Sequence, residues 1–383
     1  MLFKNLQDGT LRIAADRFET SPYFDFYTDE HTVFGVAAGR YYAADLGEDL
    51  VASYWALRRH ALLFDVPEKP WQIEGPDALA FLETLLTRRI DTLPVGRGRY
   101  ALACTPAGGV FMDGILFRLA DTRYWYVQAD GAFYEWMTAY HNDFDVRISD
   151  PCSRVLQLQG PHSIDIMHDL SAGKINMRYF DAGFYPVGGQ ELYVSRTGWT
   201  GETGYELYSL DTTDHRKLWH DLHTAGAQYG MQTGSLKALG IRRIEAGILD
   251  AGSDFDISVT PFQVGLGAFV DLEKADFIGK SSLMRADQGN LLFGFKCNAV
   301  TSQRGDPVYD GKQKVGQVTA AAWSPQLECG IGYVRFNQVQ QWMGRKLNLG
   351  EDTHEQHECE IIKLPFFDSE KQIPRGGRTI DRG

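Results

Sequence analysis

Cysteine is scarce in this 383-residue chain: Cys104, Cys152, Cys297, Cys329 and Cys359 are widely spaced and include no CxxC pair. Such an odd, scattered set argues against a disulfide framework and suits a reducing compartment. Long apolar runs are missing too. No stretch approaches the roughly 20 residues that span a bilayer, and Met-Leu-Phe-Lys-Asn-Leu-Gln-Asp at the start has no apolar signal core. The expectation is a soluble, cytoplasmic protein without a membrane partner. Positive charge is not in excess: the net charge is −12 with both signs interspersed, which argues against nucleic acid as a partner. The P-loop, the GxGxxG fingerprint, HExxH and GxSxG are all absent. Gly265-Leu-Gly267 has no third glycine and reads as a turn. His220 with His223, and His354 with His357 and Cys359, lack a second ligand pair at zinc spacing, so no metal site is expected. Cys104 lies in a strand with no candidate base nearby and reads as buried and inert.

What is present is an ordinary globular composition, 44% hydrophobic and 23% charged, at a length that suits two or three domains. The chain is organised around Arg196-Thr-Gly-Trp-Thr-Gly-Glu-Thr-Gly-Tyr-Glu206. Glycines at 198, 201 and 204 permit a tight turn and close approach of backbone to a ligand. Strand-like segments enter and leave it, and on the exit strand Glu206 faces opposite to Tyr205 and Leu207. This reads either as a surface hairpin with a solvated glutamate, or as a ligand loop with an aromatic platform at Trp199 and a carboxylate at Glu206.

Taken in order, residues 1–48 read as an irregular arm. A helical pattern runs from Glu48 to Leu63 and into Leu63-Phe64-Asp65-Val66. The strand Trp71-Gln-Ile-Glu meets Gly75-Pro76-Asp77, with Asp77 as N-cap of a helix through Leu86. Tyr100–Thr105, the turn Pro106-Ala-Gly-Gly109 and Val110–Phe117 form a hairpin carrying Asp113 in its second arm. An aspartate in an apolar strand is costly if buried unpaired, and the plain alternative is an exposed position on a half-solvated strand. Arg154–Gln159 followed by Gly160-Pro161-His162-Ser163 repeats the strand, Gly-Pro, helix plan, a weak internal repeat. Helices follow over Asp211–Tyr229 and Ala238–Ala246, then a turn and strand from Thr260 to Val270. Beyond about residue 290, short strands and Gly/Pro/Asp turns predict a small all-β domain. The segment from Phe366 reads as a surface extension.

These motifs resemble the folate-dependent aminomethyltransferase family, the glycine-cleavage T-protein and its relatives. The resemblance is carried by Gly75-Pro76, Tyr100, Gly108-Gly-Val-Phe-Met-Asp113, Gln159-Gly-Pro161 and Arg196–Glu206. It continues through Arg243-Ile-Glu-Ala-Gly247, Pro261-Phe-Gln-Val-Gly-Leu-Gly267 and Phe277-Ile-Gly-Lys280, in order over residues 50 to 365. Within the family the chain looks most like the dimethylsulfoniopropionate demethylases, through Trp199, Ala321-Ala-Trp-Ser-Pro325 and Lys363-Leu-Pro-Phe. The resemblance implies an α+β fold: a three-subdomain ring of two α+β units and a C-terminal β-barrel around a central folate hole. The corresponding boundaries are an arm at 1–48, the two α+β subdomains over 49–288, the barrel at 289–365 and a tail at 366–383. It implies tetrahydrofolate as cofactor, Asp113 as the essential acidic residue beside the reactive nitrogens, and Glu206 on the pterin amide edge. Tyr100, Trp199, Tyr179 and Phe180 are implied as aromatic pocket residues and Arg243 as a motif arginine.

The implied activity moves a methyl group from a small, sulfonium-type donor to tetrahydrofolate. Alternatives are a glycine-cleavage aminomethyltransferase, a demethylase of a methylated amine, betaine or aryl methyl ether, and, ranked last, a non-catalytic folate-binding scaffold. T-proteins usually carry Ser-His after Phe-Asp-Val, whereas Phe64-Asp65-Val66 here precedes Pro67-Glu-Lys-Pro70, which speaks against aminomethyl-lipoyl chemistry. The oligomeric state stays open, a homodimer included.

Overall fold

The two Gly-Pro joints are structural equivalents. In the computed structural model, which describes residues 16–299, 301–350 and 357–376, Lys69–Glu74 runs through Gly75 into the helix Ala78–Leu85. Arg154–Gln159 runs through Gly160 into Ser163–Leu170 in the same way. Both glycines hold positive φ, 147° and 117°, and at both a Cβ would strike a carbonyl oxygen: Asp145 at 2.3 Å, His60 at 2.6 Å. No side chain fits either joint, so both need glycine.

Each joint belongs to one sheet. The first has five strands in the order Arg97–Cys104, Val110–Ala120, Arg123–Gln128, Lys69–Glu74, Arg147–Ser149. The second has six: Ala182–Val187, Gln190–Ser195, Gly204–Ser209, Arg154–Gln159, Leu62–Val66 and Gln232–Thr233. The sheets face one another. Phe117, Trp125 and Val127 of the first pack with Phe64, Tyr193 and Tyr208 of the second. Helices cover the outer faces, Phe81, Leu82 and Met137 on one side and Ile166, Leu218 and Leu222 on the other. Strand alternation then fixes where the aspartate goes. Met112 and Leu116 turn outward into the helix-covered core, whereas Ile115 and Phe117 turn inward, and Asp113 shares their face.

The late strands close into a barrel of six, Leu292–Cys297, Cys329–Phe336, Gln313–Ser324, Pro307–Asp310, Lys346–Leu349 and His357–Ile362. Its Ile331 and Tyr333 pack with Leu102 and Val110 of the first sheet and with Phe255 and Val264 of the connecting segment. No helix among the described residues is long and apolar enough to cross a membrane.

Several local expectations are corrected. The arm holds a hairpin, Val33–Ala37 with Arg40–Asp45, turned by Ala38 and Gly39, both at positive φ; its first fifteen residues lie outside the described residues. The helix predicted to reach Leu63 ends at Arg59, and Leu62–Val66 is a strand buried throughout, whose apolar run mimics a helical face. Asp77 caps no helical N–H; its carboxylate accepts from the Asp145 amide at 2.9 Å instead. The strand expected up to Val270 is two short 3-10 turns, because Gly265 takes φ 75° and breaks extension. The tail is no surface extension as far as Gly376. The Phe366 amide donates to the Glu245 carbonyl at 3.1 Å, the Ile373 carbonyl accepts from Thr203, and Ile373 is buried.

Candidate active site

Asp113 sits on the inner face of the first sheet, where the alternation of Val110–Ala120 leaves no choice. It is largely buried yet keeps some accessible surface. The exposed-strand alternative is thereby overturned. The Tyr100 hydroxyl, from the adjacent strand, donates to Asp113 Oδ2 at 2.9 Å. Burial pushes the Asp113 carboxyl up to about 6, aided by the nearby Asp250 charge and opposed by the Tyr100 hydrogen bond. Tyr100 in turn is held from behind, its carbonyl by Arg88 Nη1 at 2.9 Å and its ring edge-on to Phe269.

The second sheet supplies Glu206. Ser195, Glu206 and Gln157 stand side by side on three adjacent strands, and Tyr208 shares the face two residues on. Glu206 Oε2 accepts from Tyr208 (2.7 Å), Thr197 (2.8 Å) and Ser195 (3.2 Å). Oε1 receives only the Gln157 amide at 3.2 Å. One oxygen is saturated and the other can still accept. Burial raises Glu206 above the ordinary carboxylate range even against its three hydroxyl donors. Tyr179 lies within reach of the same charge; burial and Glu206 push its phenol up to about 12. Phe180 meets Tyr179 edge-to-face at 4.6 Å and takes φ 69°. That unfavourable backbone is held by hydrogen bonds from its N–H to Arg196 (3.0 Å) and to its C=O from Gly98 (2.8 Å).

Arg243 holds a third cluster. Its Nη1 donates to Asp254 at 2.8 Å, its guanidinium lies 5.1 Å over the Trp199 ring, and Nη2 is 3.9 Å from Asp250. The structure therefore pairs Tyr100 with Asp113, Tyr179 with Glu206 and Trp199 with Arg243. Asp250 bears electrostatically on both Asp113 and Arg243. Sequence reasoning missed Asp250, Asp254, Glu68, Gln157, Ser195, Thr197 and Tyr208. Period-two alternation around Glu206 reaches Tyr208; nothing local marks Asp250. Cys104 is buried, its thiol pushed up to about 12 by that burial. Among the described residues no group of three or more His, Cys, Asp or Glu could hold a metal.

Asp113 makes stability depend on pH in a definite sense. Its folded value, about 6, exceeds the ordinary 3.8. The folded state therefore binds the extra proton between those values, and the cost of this carboxyl grows as pH rises through them. Asp113→Asn is expected to be more stable than the parent near pH 7, on the order of 1–2 kcal/mol. The difference should vanish near pH 4, and urea unfolding at both pH values checks it. Asp65, also raised to about 6 by burial, is common to both proteins and cancels.

Two folate-transferase domains define the class. Residues 27–274 match the GCVT N-terminal domain, and residues 291–368 match the glycine cleavage T-protein C-terminal barrel domain. The chain belongs to the T-protein family of tetrahydrofolate-dependent transferases. It is 30% identical over 335 residues to an aminomethyltransferase of Halothermothrix orenii, covering 83% of this chain and 91% of that protein. It is 32% identical over 332 residues to an aminomethyltransferase of Streptomyces avermitilis, covering 82% and 89%. A trimethylamine-oxide aldolase of Ruegeria pomeroyi is 29% identical over 350 residues, 85% of this chain but only 44% of that protein. The fold matches that of the glycine cleavage system aminomethyltransferase T of Bartonella henselae, with a TM-score of 0.82, 24% identity, and coverage of 91% and 98%.

Proposed function

We propose that this enzyme transfers a methyl group from a small cationic donor, a sulfonium of the dimethylsulfoniopropionate type first, to tetrahydrofolate, yielding 5-methyltetrahydrofolate. The observation that carries the reading is the charge around Asp113. The Asp250 charge bears on Asp113, and Arg243, 3.9 Å from Asp250, gives its close hydrogen bond to Asp254 at 2.8 Å and lies over the Trp199 face. The half-buried Tyr42, from the arm hairpin, feels both Asp250 and Asp130. Carboxylates and aromatic faces whose neighbouring arginine is already engaged elsewhere suit an onium group.

The chain's own residues then have separate tasks. Glu206 would take an N–H group of the pterin edge at Oε1, the oxygen that can still accept. Trp199, Tyr179 and Phe180 would bound the flat ring. Tyr100 orients Asp113 toward the attacking amine. As that nitrogen displaces the neutral sulfide from the methyl carbon, positive charge develops on it, and Asp113 stabilises that charge and accepts the proton released.

A second reading, aminomethyl transfer as in the glycine-cleavage relatives, is favoured by the two aminomethyltransferases that this chain matches over most of their length. Against it stands Glu68, engaged with Gln157 at 2.8 Å in the segment where T-proteins usually carry Ser-His. Methylated amines form a third donor class within the same onium chemistry. Anaerobic incubation with tetrahydrofolate and each donor, read by mass spectrometry, separates them. 5-Methyltetrahydrofolate from a sulfonium or methylammonium supports the proposal. Its absence with every onium donor, while folate still binds, overturns it, and methylenetetrahydrofolate from an aminomethyl donor establishes the second reading.

A further inference from the structure

Glu68 stands beside Glu206 with an unusual set of partners. Gln157 Nε2 donates to Glu68 Oε1 at 2.8 Å and to Glu206 Oε1 at 3.2 Å, so one amide nitrogen serves both carboxyls. The other halves of this pair, Glu68 Oε2 and Gln157 Oε1, are both closed to water, and neither meets a donor. Two acceptors without donors, on the same two side chains that already share a hydrogen bond, lack one hydrogen between them. A proton on Glu68 Oε2 supplies it. The result is a cyclic acid–amide pair, with N–H to O in one direction and O–H to O in the other. The second amide hydrogen of Gln157 is then directed at Glu206.

We propose that Glu68 is a proton-bearing positioning residue, locked onto Gln157 as an acid–amide pair, which aims Gln157 at Glu206 and leaves Glu206 as the ionised carboxylate of the ligand site. The assignment of charge follows from the surroundings. Glu206 has three hydroxyl donors on one oxygen, which favour its ionised form; Glu68 has none. Burial, and then the Glu206 charge, drive Glu68 well above the ordinary carboxylate range. The charged and titratable groups facing the pair are Glu206 and Tyr208 from one strand, Tyr179 from the segment before another, and Arg40 from the arm hairpin. Arg40 lowers the Glu68 value; its Nη1 donates to the Glu68 carbonyl at 2.8 Å and its Nε to Glu19 at 3.1 Å, and its buried Nη2 makes no hydrogen bond, to the Glu68 carboxyl or elsewhere. The backbone carrying Glu68 is thereby pinned while its carboxyl keeps the proton.

The consequence for ligand binding rests on the folate reading above; the acid–amide pair does not. Glu68→Gln substitutes a neutral group that can both donate and accept, so it preserves the cyclic pair. Glu68→Ala removes it. The expected result is tetrahydrofolate affinity within about two-fold of the parent for Glu68→Gln at neutral pH, and a loss of about ten-fold for Glu68→Ala. Parental affinity should fall at alkaline pH as Glu68 ionises, and Glu68→Gln should stay flat over that range. Infrared difference spectra of parent minus Glu68→Gln should show a protonated carboxyl band at neutral pH, with or without folate. Equal ten-fold losses in both variants, or no such band, overturn the proposal. Failure of the parent to bind tetrahydrofolate, with the band present, would sink the folate reading and leave the acid–amide pair standing.

Discussion

Asp113→Asn is expected to bind tetrahydrofolate within about three-fold of the parent and to turn over about 10²–10³-fold more slowly. The size follows from what the substitution changes. Asparagine keeps the shape of the side chain and can still accept from the Tyr100 hydroxyl, which now sits 2.9 Å from Oδ2. It cannot carry negative charge, and it cannot take a proton. At a carboxyl this buried, a fixed charge beside a nitrogen that becomes cationic acts at short range with little solvent competition. Binding should survive because the ring-edge contacts belong to the other sheet, where Glu206 has its own ring of donors. Single-turnover measurement of methyl transfer, beside calorimetric folate binding, separates the two effects. Unchanged turnover would mean that Asp113 is not the group at the reacting nitrogen, and a non-catalytic scaffold would then have to be reconsidered.

Arg242→Met is expected to destabilise the fold by about 3–5 kcal/mol, measured as a shift in the urea midpoint. Arg242 is fully buried in a network that joins its own helix to several distant parts of the chain. Its Nη1 donates to Glu245 at 2.6 Å and its Nη2 lies 2.9 Å from Glu202, in the glycine-rich turn. Arg58, from the first helix, reaches the same Glu202 oxygen at 3.1 Å, and Tyr54 donates to Glu245 at 3.0 Å. Ser324 of the barrel donates to Glu245, and Phe367 of the tail stacks beneath both guanidiniums, at 5.0 and 4.8 Å. Methionine fills much the same volume but leaves two buried carboxylates facing one remaining arginine. Removing one member of such a group costs far more than the group contributes over an apolar replacement. Replacing Glu202 and Glu245 by glutamine in the same chain should recover part of the loss, since the carboxylates left unpaired are its cause. A loss below about 1 kcal/mol would show that the network holds nothing together.

Elements with local causes were legible in the sequence. The Arg97–Cys104 and Val110–Ala120 hairpin, the repeated Gly-Pro joints and the late run of short strands all follow from alternation, turn glycines and propensity. So was the ordered set of motifs that marks the family. Where the local signal was ambiguous, it misled. Leu62–Val66 is buried at every position because both its faces are covered, and its residues, apolar but for Asp65, carry no clear period to tell strand from helix. The tail looked polar and Gly-rich, but Phe367 is drawn in by two buried arginines that lie 125 and 309 positions earlier in no pattern a local window could detect.

Only the tertiary structure decided which side chains share a site. Asp250 and Asp113 lie 137 positions apart in the sequence and meet because the connecting segment folds back against the first sheet. Glu68, Gln157 and Glu206 come from three segments and form one hydrogen-bonded group through the pairing of adjacent strands. Charge, proton placement and donor selectivity depend on distances of a few ångströms between residues far apart in sequence. Strand alternation specifies a face; it does not specify what the opposite sheet places there.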